Sequence, residues 1–300
     1  MPSSAESFIL VSILCAIFLS LPVAMLIRFL SEKRHPPVPE YAPPVSDILP
    51  PPLPSERMVE EWTRKDAVFA IILALVVGML MGPGVTLLMG ESADEGAPAK
   101  MNFSVALFVT QIIFQAGFIG IIIAYLTVHR KFRLVPLFGL RSLGMVKTLG
   151  VAVLWLIGSY FLLAFATMGL EPVLKQLTGV DLKPQGLVES AAGITDPVAK
   201  VLMFVTLCIG APVMEELIFR GVLFNVASRW FGPVYASVST SLLFGVIHNN
   251  LLSFIPLTLL GICFAEAYRR TRSLAVPMLM HAMFNCVSFL VLTNDLTKFE

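Results

Sequence analysis

Apolar residues fill most of the chain in long runs that are separated by short polar connections. A helix that crosses about 30 Å of hydrocarbon needs about 20 mostly apolar residues, and runs of this length recur along the sequence. They predict an all-α, polytopic membrane bundle of about eight transmembrane helices, at residues 8–30, 67–90, 103–127, 147–168, 199–224, 232–248, 251–268 and 274–293.

The overall composition supports this class of protein. Hydrophobic residues make up 57% of the 300 residues, charged residues only 14%, and the mean hydropathy is +0.84. These values lie outside the range of soluble globular domains and predict contact with a lipid bilayer. The net charge is only +1, and most Lys and Arg residues lie in the short polar connections. A large basic surface of the kind that binds nucleic acid is therefore not expected.

The distribution of Lys and Arg predicts the orientation. The first apolar run has no Lys or Arg before it but is followed by Arg28, Lys33 and Arg34, as in a retained anchor with its N-terminus outside. With alternating segments, the cytoplasmic connections hold 14 positive residues and the opposite side holds 5. We expect an integral multi-pass protein, in a bacterial plasma membrane, with both termini outside.

A proline-rich stretch divides the chain. Residues 36–54 contain nine prolines in 19 positions, a composition that favours extended polyproline II and does not form a packed core. The predicted organisation is an N-terminal anchor helix (1–30), a cytoplasmic linker (31–66) and a seven-helix body (67–300). The sequence has no internal repeat, which weakens the interpretation as an inverted-repeat transporter.

Three charged residues lie inside the fifth apolar run. An ionised side chain at the bilayer centre costs roughly 2.5 to 3.5 kcal/mol on insertion scales, so Glu215, Glu216 and Arg220 need partners there. Residues four apart share a helix face, so Glu216 and Arg220 are expected to pair and Glu215 to stay available for chemistry. Pro212 frees a carbonyl about one turn back and predicts a kink.

Two histidines complete a set of polar candidates. His248 follows Phe244 by one helical turn, and His281 precedes Asn285 by one turn in the last run. Peptide hydrolysis needs a base for water, a group that positions it and donors for the oxyanion, and a glutamate with a histidine can supply the first two. Alternatively, Glu215, His248 and His281 could hold a zinc ion with an open water position.

The spacing of these residues carries a family resemblance. The sequence contains EExxxR, FxxxH and HxxxN in this order, and His248 lies 33 positions from both Glu215 and His281. Together they resemble the three motifs of the CPBP intramembrane proteases, the family of the type II CAAX prenyl endopeptidase and of bacterial abortive-infection and bacteriocin-processing proteins. The resemblance covers residues 198–292.

The resemblance implies an intramembrane endopeptidase in which Glu215 activates water with the assistance of His248. His281 and Asn285 would line the oxyanion site, and the pair of Glu216 and Arg220 would order it. Family members have been described both as metalloproteases and as glutamate proteases, so zinc stays open. The implied substrate is a membrane-associated protein or peptide, with prenylated CAAX proteins as the eukaryotic precedent.

Two other functions fit the same features. A non-enzymatic immunity or scaffold protein would use the polar cluster to bind a peptide partner. A proton-coupled transporter would use the carboxylates and histidines to relay protons. Helix rise also predicts a difficulty, because upright helices would place Glu215, His248 and His281 roughly 21, 27 and 14 Å from the cytoplasmic side. Tilt, a kink at Pro212 or a sixth helix that starts deeper in the protein would bring them together.

Overall fold

The computed structural model of the protein describes residues 62–81, 105–168 and 194–293, together with the single positions 173 and 176. Regular structure in these ranges is entirely helical, which confirms the all-α class. The helices are α1 (Arg64–Met81), α2 (Val105–His129), α3 (Leu134–Leu137), α4 (Met145–Thr167), α5 (Pro197–Phe231), α6 (Pro233–Ile247), α7 (Leu251–Thr271) and α8 (Ala275–Thr293). The predicted anchor at 8–30 and the proline-rich stretch at 36–54 lie outside the described residues.

The long helices follow the predicted apolar runs. By length and composition α2, α4, α5 and α7 are able to cross a membrane, and α6 and α8 are shorter apolar helices. The protein is therefore a polytopic membrane protein. Helix α4 exposes Leu154, Phe161 and Phe165 to 71%, 75% and 80%, which suits a surface in contact with lipid. Helix α5 extends beyond the predicted run of 199–224 at both ends.

The helical body begins a few residues earlier than the apolar pattern predicts. Asp66 is fully buried and accepts hydrogen bonds from the Thr63 N–H at 2.6 Å and from the Tyr125 hydroxyl at 2.7 Å. Arg130 Nε lies 2.8 Å from the same carboxylate. A buried carboxylate is stable only with such partners, and these bonds fasten the start of α1 to the end of α2. The pattern of apolar residues does not predict polar contacts of this kind.

Helices α6 and α7 approach closely through two glycines. A Cβ on Gly245 would collide with Thr258 Oγ1 and lie 2.7 Å from the Phe254 carbonyl oxygen. A Cβ on Gly261 would lie 3.0 Å from the Ser241 Cβ. Small residues allow membrane helices to pack at short distance, and here they bring the α7 backbone within reach of α5.

Candidate active site

Helix α5 carries both glutamates and departs from α-helical geometry on either side of them. π-helical segments at Val205–Gly210 and Leu217–Phe224 flank a short α-helical stretch, Ala211–Glu216. In the first π segment the Ala211 N–H donates to the Thr206 carbonyl, five residues back. π-turns of this kind occur frequently at functional sites, and this one widens the helix immediately before Glu215.

Pro212 explains the next contact. In the same register the Leu207 carbonyl would accept from the N–H of residue 212, and proline has none. Asn285 on α8 supplies the missing donor, with its Nδ2 at 2.9 Å from the Leu207 oxygen. The site is thus joined across α5 and α8 at the point where the proline interrupts the helix.

Glu216 and Arg220 form the ion pair that their spacing predicts. Arg220 Nη1 lies 2.9 Å from Glu216 Oε1, and neither side chain is exposed. Arg220 Nη2 also donates to the Gly261 carbonyl at 2.7 Å. The guanidinium carbon lies 5.0 Å from the ring centroid of Phe244 and 5.3 Å from that of Phe264. Ion-pair, hydrogen-bond and ring contacts together make a fully buried arginine tolerable.

His281 links the two glutamates. Its Nδ1 lies 3.0 Å from Glu216 Oε1, and its Nε2 lies 3.8 Å from Glu215 Oε2. Because a carboxylate accepts hydrogen bonds, Nδ1 carries the proton and Nε2 is directed towards Glu215. Phe264 stacks on the imidazole with ring centroids 5.0 Å apart and holds its plane.

Glu215 is buried but incompletely paired. It is 6% exposed, and its Oε2 has no hydrogen-bond partner in the part of the chain that the structure describes. Leaving a carboxylate oxygen buried and without a donor is costly, and such groups concentrate where chemistry requires them. Glu216 Oε2 is likewise buried without a partner among the described residues, but Glu216 is held through Oε1 by Arg220 and His281.

His248 lies at the end of α6 and is half-buried. Its Nδ1 is 2.7 Å from the Phe244 carbonyl oxygen. A carbonyl only accepts, so Nδ1 donates and the lone pair of the neutral ring is on Nε2. The Phe244 ring lies between the two histidines, with its centroid 4.9 Å from that of His248 and 5.8 Å from that of His281.

The possible metal ligands are not arranged as a coordination site. Across residues 62–81, 105–168 and 194–293, no group of three His, Cys, Asp or Glu side chains is placed to hold a metal ion. Zinc at Glu215, His248 and His281 stays a prediction that chelation can test.

Gln115 on α2 is a site neighbour that sequence analysis did not select. Its Nε2 donates to the Thr206 carbonyl at 3.2 Å, and the side chain is buried. Gln111 and Gln115, four apart in an apolar helix, indicate an interhelical amide bond. The sequence contains no signal for which helix, or which carbonyl, the amide contacts.

The fold and this cluster define the class of protein. It is a helical membrane protein whose interior holds two glutamates, an arginine and a histidine close together. Residues 197–287 match the family described as Type II CAAX prenyl endopeptidase Rce1-like. The recognition of the three motifs is thereby confirmed, because the match spans all of them. The match supports a membrane protease.

Two bacterial relatives show the extent of the similarity. YdiL of Bacillus subtilis (strain 168), whose assignment as a membrane peptidase is itself provisional, is 26% identical over 223 residues, 74% of this chain and 87% of YdiL. The membrane-embedded CAAX protease MroQ of Staphylococcus aureus (strain USA300) is 36% identical over 92 residues, 28% of this chain and 36% of MroQ. No solved structure matches the chain significantly.

Proposed function

We propose that the protein is an intramembrane endopeptidase in which Glu215 activates a water molecule for attack on a peptide bond. The observation that carries this proposal is the buried Glu215 Oε2, without a hydrogen-bond donor among the described residues and 3.8 Å from His281 Nε2. A water molecule in contact with both atoms would satisfy the carboxylate and stand beside its base. The protease family match supports the same chemistry.

The proposed reaction uses two histidines in different roles. Glu215 accepts a proton from water as the oxygen attacks the scissile carbonyl, and later gives that proton to the leaving amine. His248 assists by accepting a hydrogen bond from the water through Nε2, the nitrogen that its bond to the Phe244 carbonyl leaves with the lone pair. General-base assistance of this kind contributes about 10²- to 10⁴-fold.

His281 and Asn285 are the proposed oxyanion donors. Asn285 uses one amide hydrogen on the Leu207 carbonyl, so its second amide hydrogen would reach the oxyanion. His281 donates through Nδ1 to Glu216, so it can donate through Nε2 only as an imidazolium. The proposed oxyanion role therefore requires a second proton on His281.

The proposed substrate is a membrane-associated protein or peptide. The matched family and MroQ are described as CAAX proteases, so a prenylated C-terminal peptide is the first candidate for this chain. The proposed location is a bacterial plasma membrane, with both termini outside as the positive residues predict. Zinc would be an addition to this mechanism, and chelation tests it.

Purified protein in detergent should be assayed with a farnesylated peptide ending in a CAAX sequence, its unprenylated counterpart and a library of defined peptides. Cleavage by the wild type, lost in Glu215→Gln and His248→Ala, would support the proposal. Identical products from both variants would reject the assigned roles. Binding of a peptide without cleavage would favour the scaffold alternative.

A further inference from the structure

The π segment Val205–Gly210 is held from two sides through consecutive backbone carbonyls. Gln115 Nε2 on α2 donates to Thr206 at 3.2 Å, and Asn285 Nδ2 on α8 donates to Leu207 at 2.9 Å. The two donors come from different helices and bind different carbonyls, so the two bonds together restrain the segment more than either bond alone. Gln115 belongs to a part of the chain outside the matched family domain, residues 197–287.

Gly210 makes the contact with Gln115 possible. A Cβ at this position would collide with Gln115 Oε1 and lie 2.9 Å from its Cδ. Any larger residue would displace the amide from Thr206, since the amide is the flexible end of its side chain. Gly210 and the Gln115 amide are therefore in direct contact, and Gly210 lies five residues before Glu215. This is the Gly210–Gln115 contact.

We propose that Gln115 is a positioning residue for catalysis, which acts by fixing the π segment and thereby the direction of the Glu215 carboxylate. This inference rests on the proposed function of Glu215. Ala211–Glu216 continues directly from the π segment as one helix, so a rotation at Thr206 turns Glu215 relative to His281. A shift of about 1 Å in a reacting group is enough to cost about 100-fold in rate.

The test compares four variants in the farnesylated-peptide assay. Gln115→Ala and the volume-matched Gln115→Met should both lower kcat roughly 10- to 100-fold and leave KM within about twofold, because both remove the donor but not the substrate contacts. Gln111→Ala, one turn earlier on α2, is the matched control and should keep wild-type kcat. Gly210→Ala should resemble Gln115→Ala.

The Gly210–Gln115 contact can also be tested by thermal unfolding, a measurement that does not depend on activity. Gly210→Ala should give a lower thermal unfolding midpoint, relative to its parent, in the wild-type background than in the Gln115→Ala background, because the amide that the new Cβ displaces is absent from the second. The same difference between backgrounds is expected in kcat, with the double variant no slower than Gln115→Ala alone.

Each failure has a distinct meaning. Full kcat in Gln115→Met would show that packing, and not the donated hydrogen bond, is what matters, and would overturn the inference. An equal thermal penalty for Gly210→Ala in both backgrounds would overturn the contact itself. If the wild type cleaves none of the probes, the proposed function fails and the positioning role with it, while the thermal comparison still decides whether the contact exists.

Discussion

Glu215 and Glu216 are consecutive residues that differ in their hydrogen bonds, although the Oε2 atom of each is buried without a partner among the described residues. Glu216 Oε1 accepts from Arg220 Nη1 and from His281 Nδ1, at 2.9 and 3.0 Å. Glu215 Oε2 accepts from no group in the described ranges and faces His281 Nε2. One turn of helix thus contains a carboxylate that holds the cluster together and another that is left poorly stabilised.

Glutamine substitutions at these two positions should therefore have unequal effects on stability. Glu216→Gln removes the charge that pairs with buried Arg220 and should cost about 3 to 5 kcal/mol of unfolding free energy. Glu215 has no such pair with Arg220, and its Oε2 lacks a donor among the described residues, so Glu215→Gln should cost less stability than Glu216→Gln, with the loss of activity typical of a catalytic group. Thermal unfolding in detergent measures both, and a larger loss of stability in Glu215→Gln would contradict the assignment.

The orientation of His281 can be tested separately from its presence. His281→Gln keeps a donor and much of the size but loses the ring that stacks on Phe264 and the capacity to become an imidazolium. We expect kcat to fall about 10²- to 10³-fold, as when one oxyanion donor is removed. His248→Gln is the comparison variant. The His248 ring contacts Phe244 at the end of α6, and its proposed role is to assist Glu215 as the base. A rate unchanged in His281→Gln would remove it from the oxyanion site.

Chelation should leave the activity in place. Glu215, His248 and His281 are not arranged as a three-ligand metal site, and the proposed base needs no metal to accept a proton. Incubation with EDTA and with 1,10-phenanthroline, followed by dialysis and the peptide assay, measures this directly. Loss of cleavage that returns on addition of zinc would show that the ligands rearrange around a metal in the active protein.

The sequence predicted the contacts that depend on spacing within one helix. The pair of Glu216 and Arg220 follows from a separation of four residues, and the apolar runs locate the long helices. Contacts between helices were not predictable in the same way. Straight, upright helices put Glu215 and His281 roughly 7 Å apart in depth, yet the structure brings Glu215 Oε2 within 3.8 Å of His281 Nε2. Depth depends on tilt, which neighbouring helices set.

Departures from regular α-helical geometry were the second feature that the sequence did not predict. Pro212 predicts a disturbance one turn earlier, but the pattern does not show that the disturbance is a π segment or which donors complete it. Gln115 and Asn285 come from helices that are distant in sequence, and their carbonyl partners on α5 are backbone atoms that no motif can display. The sequence could not decide on a zinc site for the same reason, because Glu215, His248 and His281 come from three helices whose relative placement no motif shows.

The glycines between α6 and α7 should be sensitive to the smallest substitution. Gly245→Ala places a Cβ against Thr258 Oγ1 and the Phe254 carbonyl and should cost about 1 to 3 kcal/mol, since the helices must separate. Gly158→Ala is the matched control, because a Cβ there meets no atom within 4 Å among the described residues, and alanine favours helix. Equal melting temperatures for the two variants would show that the close approach is not required.

The bond between Asn285 and Leu207 gives Asn285 a structural role that is separable from its proposed role at the oxyanion. Asn285→Ala leaves the part-buried Leu207 carbonyl without its donor and should cost about 1 kcal/mol. Pro212→Ala restores a backbone N–H at the position that the π register assigns to this carbonyl.

The double variant Pro212→Ala with Asn285→Ala should therefore recover most of the lost stability. It should not recover the rate if Asn285 also donates to the oxyanion, because a backbone N–H inside the helix cannot replace the second amide hydrogen of the side chain. Thermal unfolding and kcat, measured on the same preparations of the two single variants and the double variant, separate the two roles. Recovery of both together would reduce Asn285 to a support for α5, whereas recovery of neither would show that Pro212 is not the reason why Leu207 needs a partner.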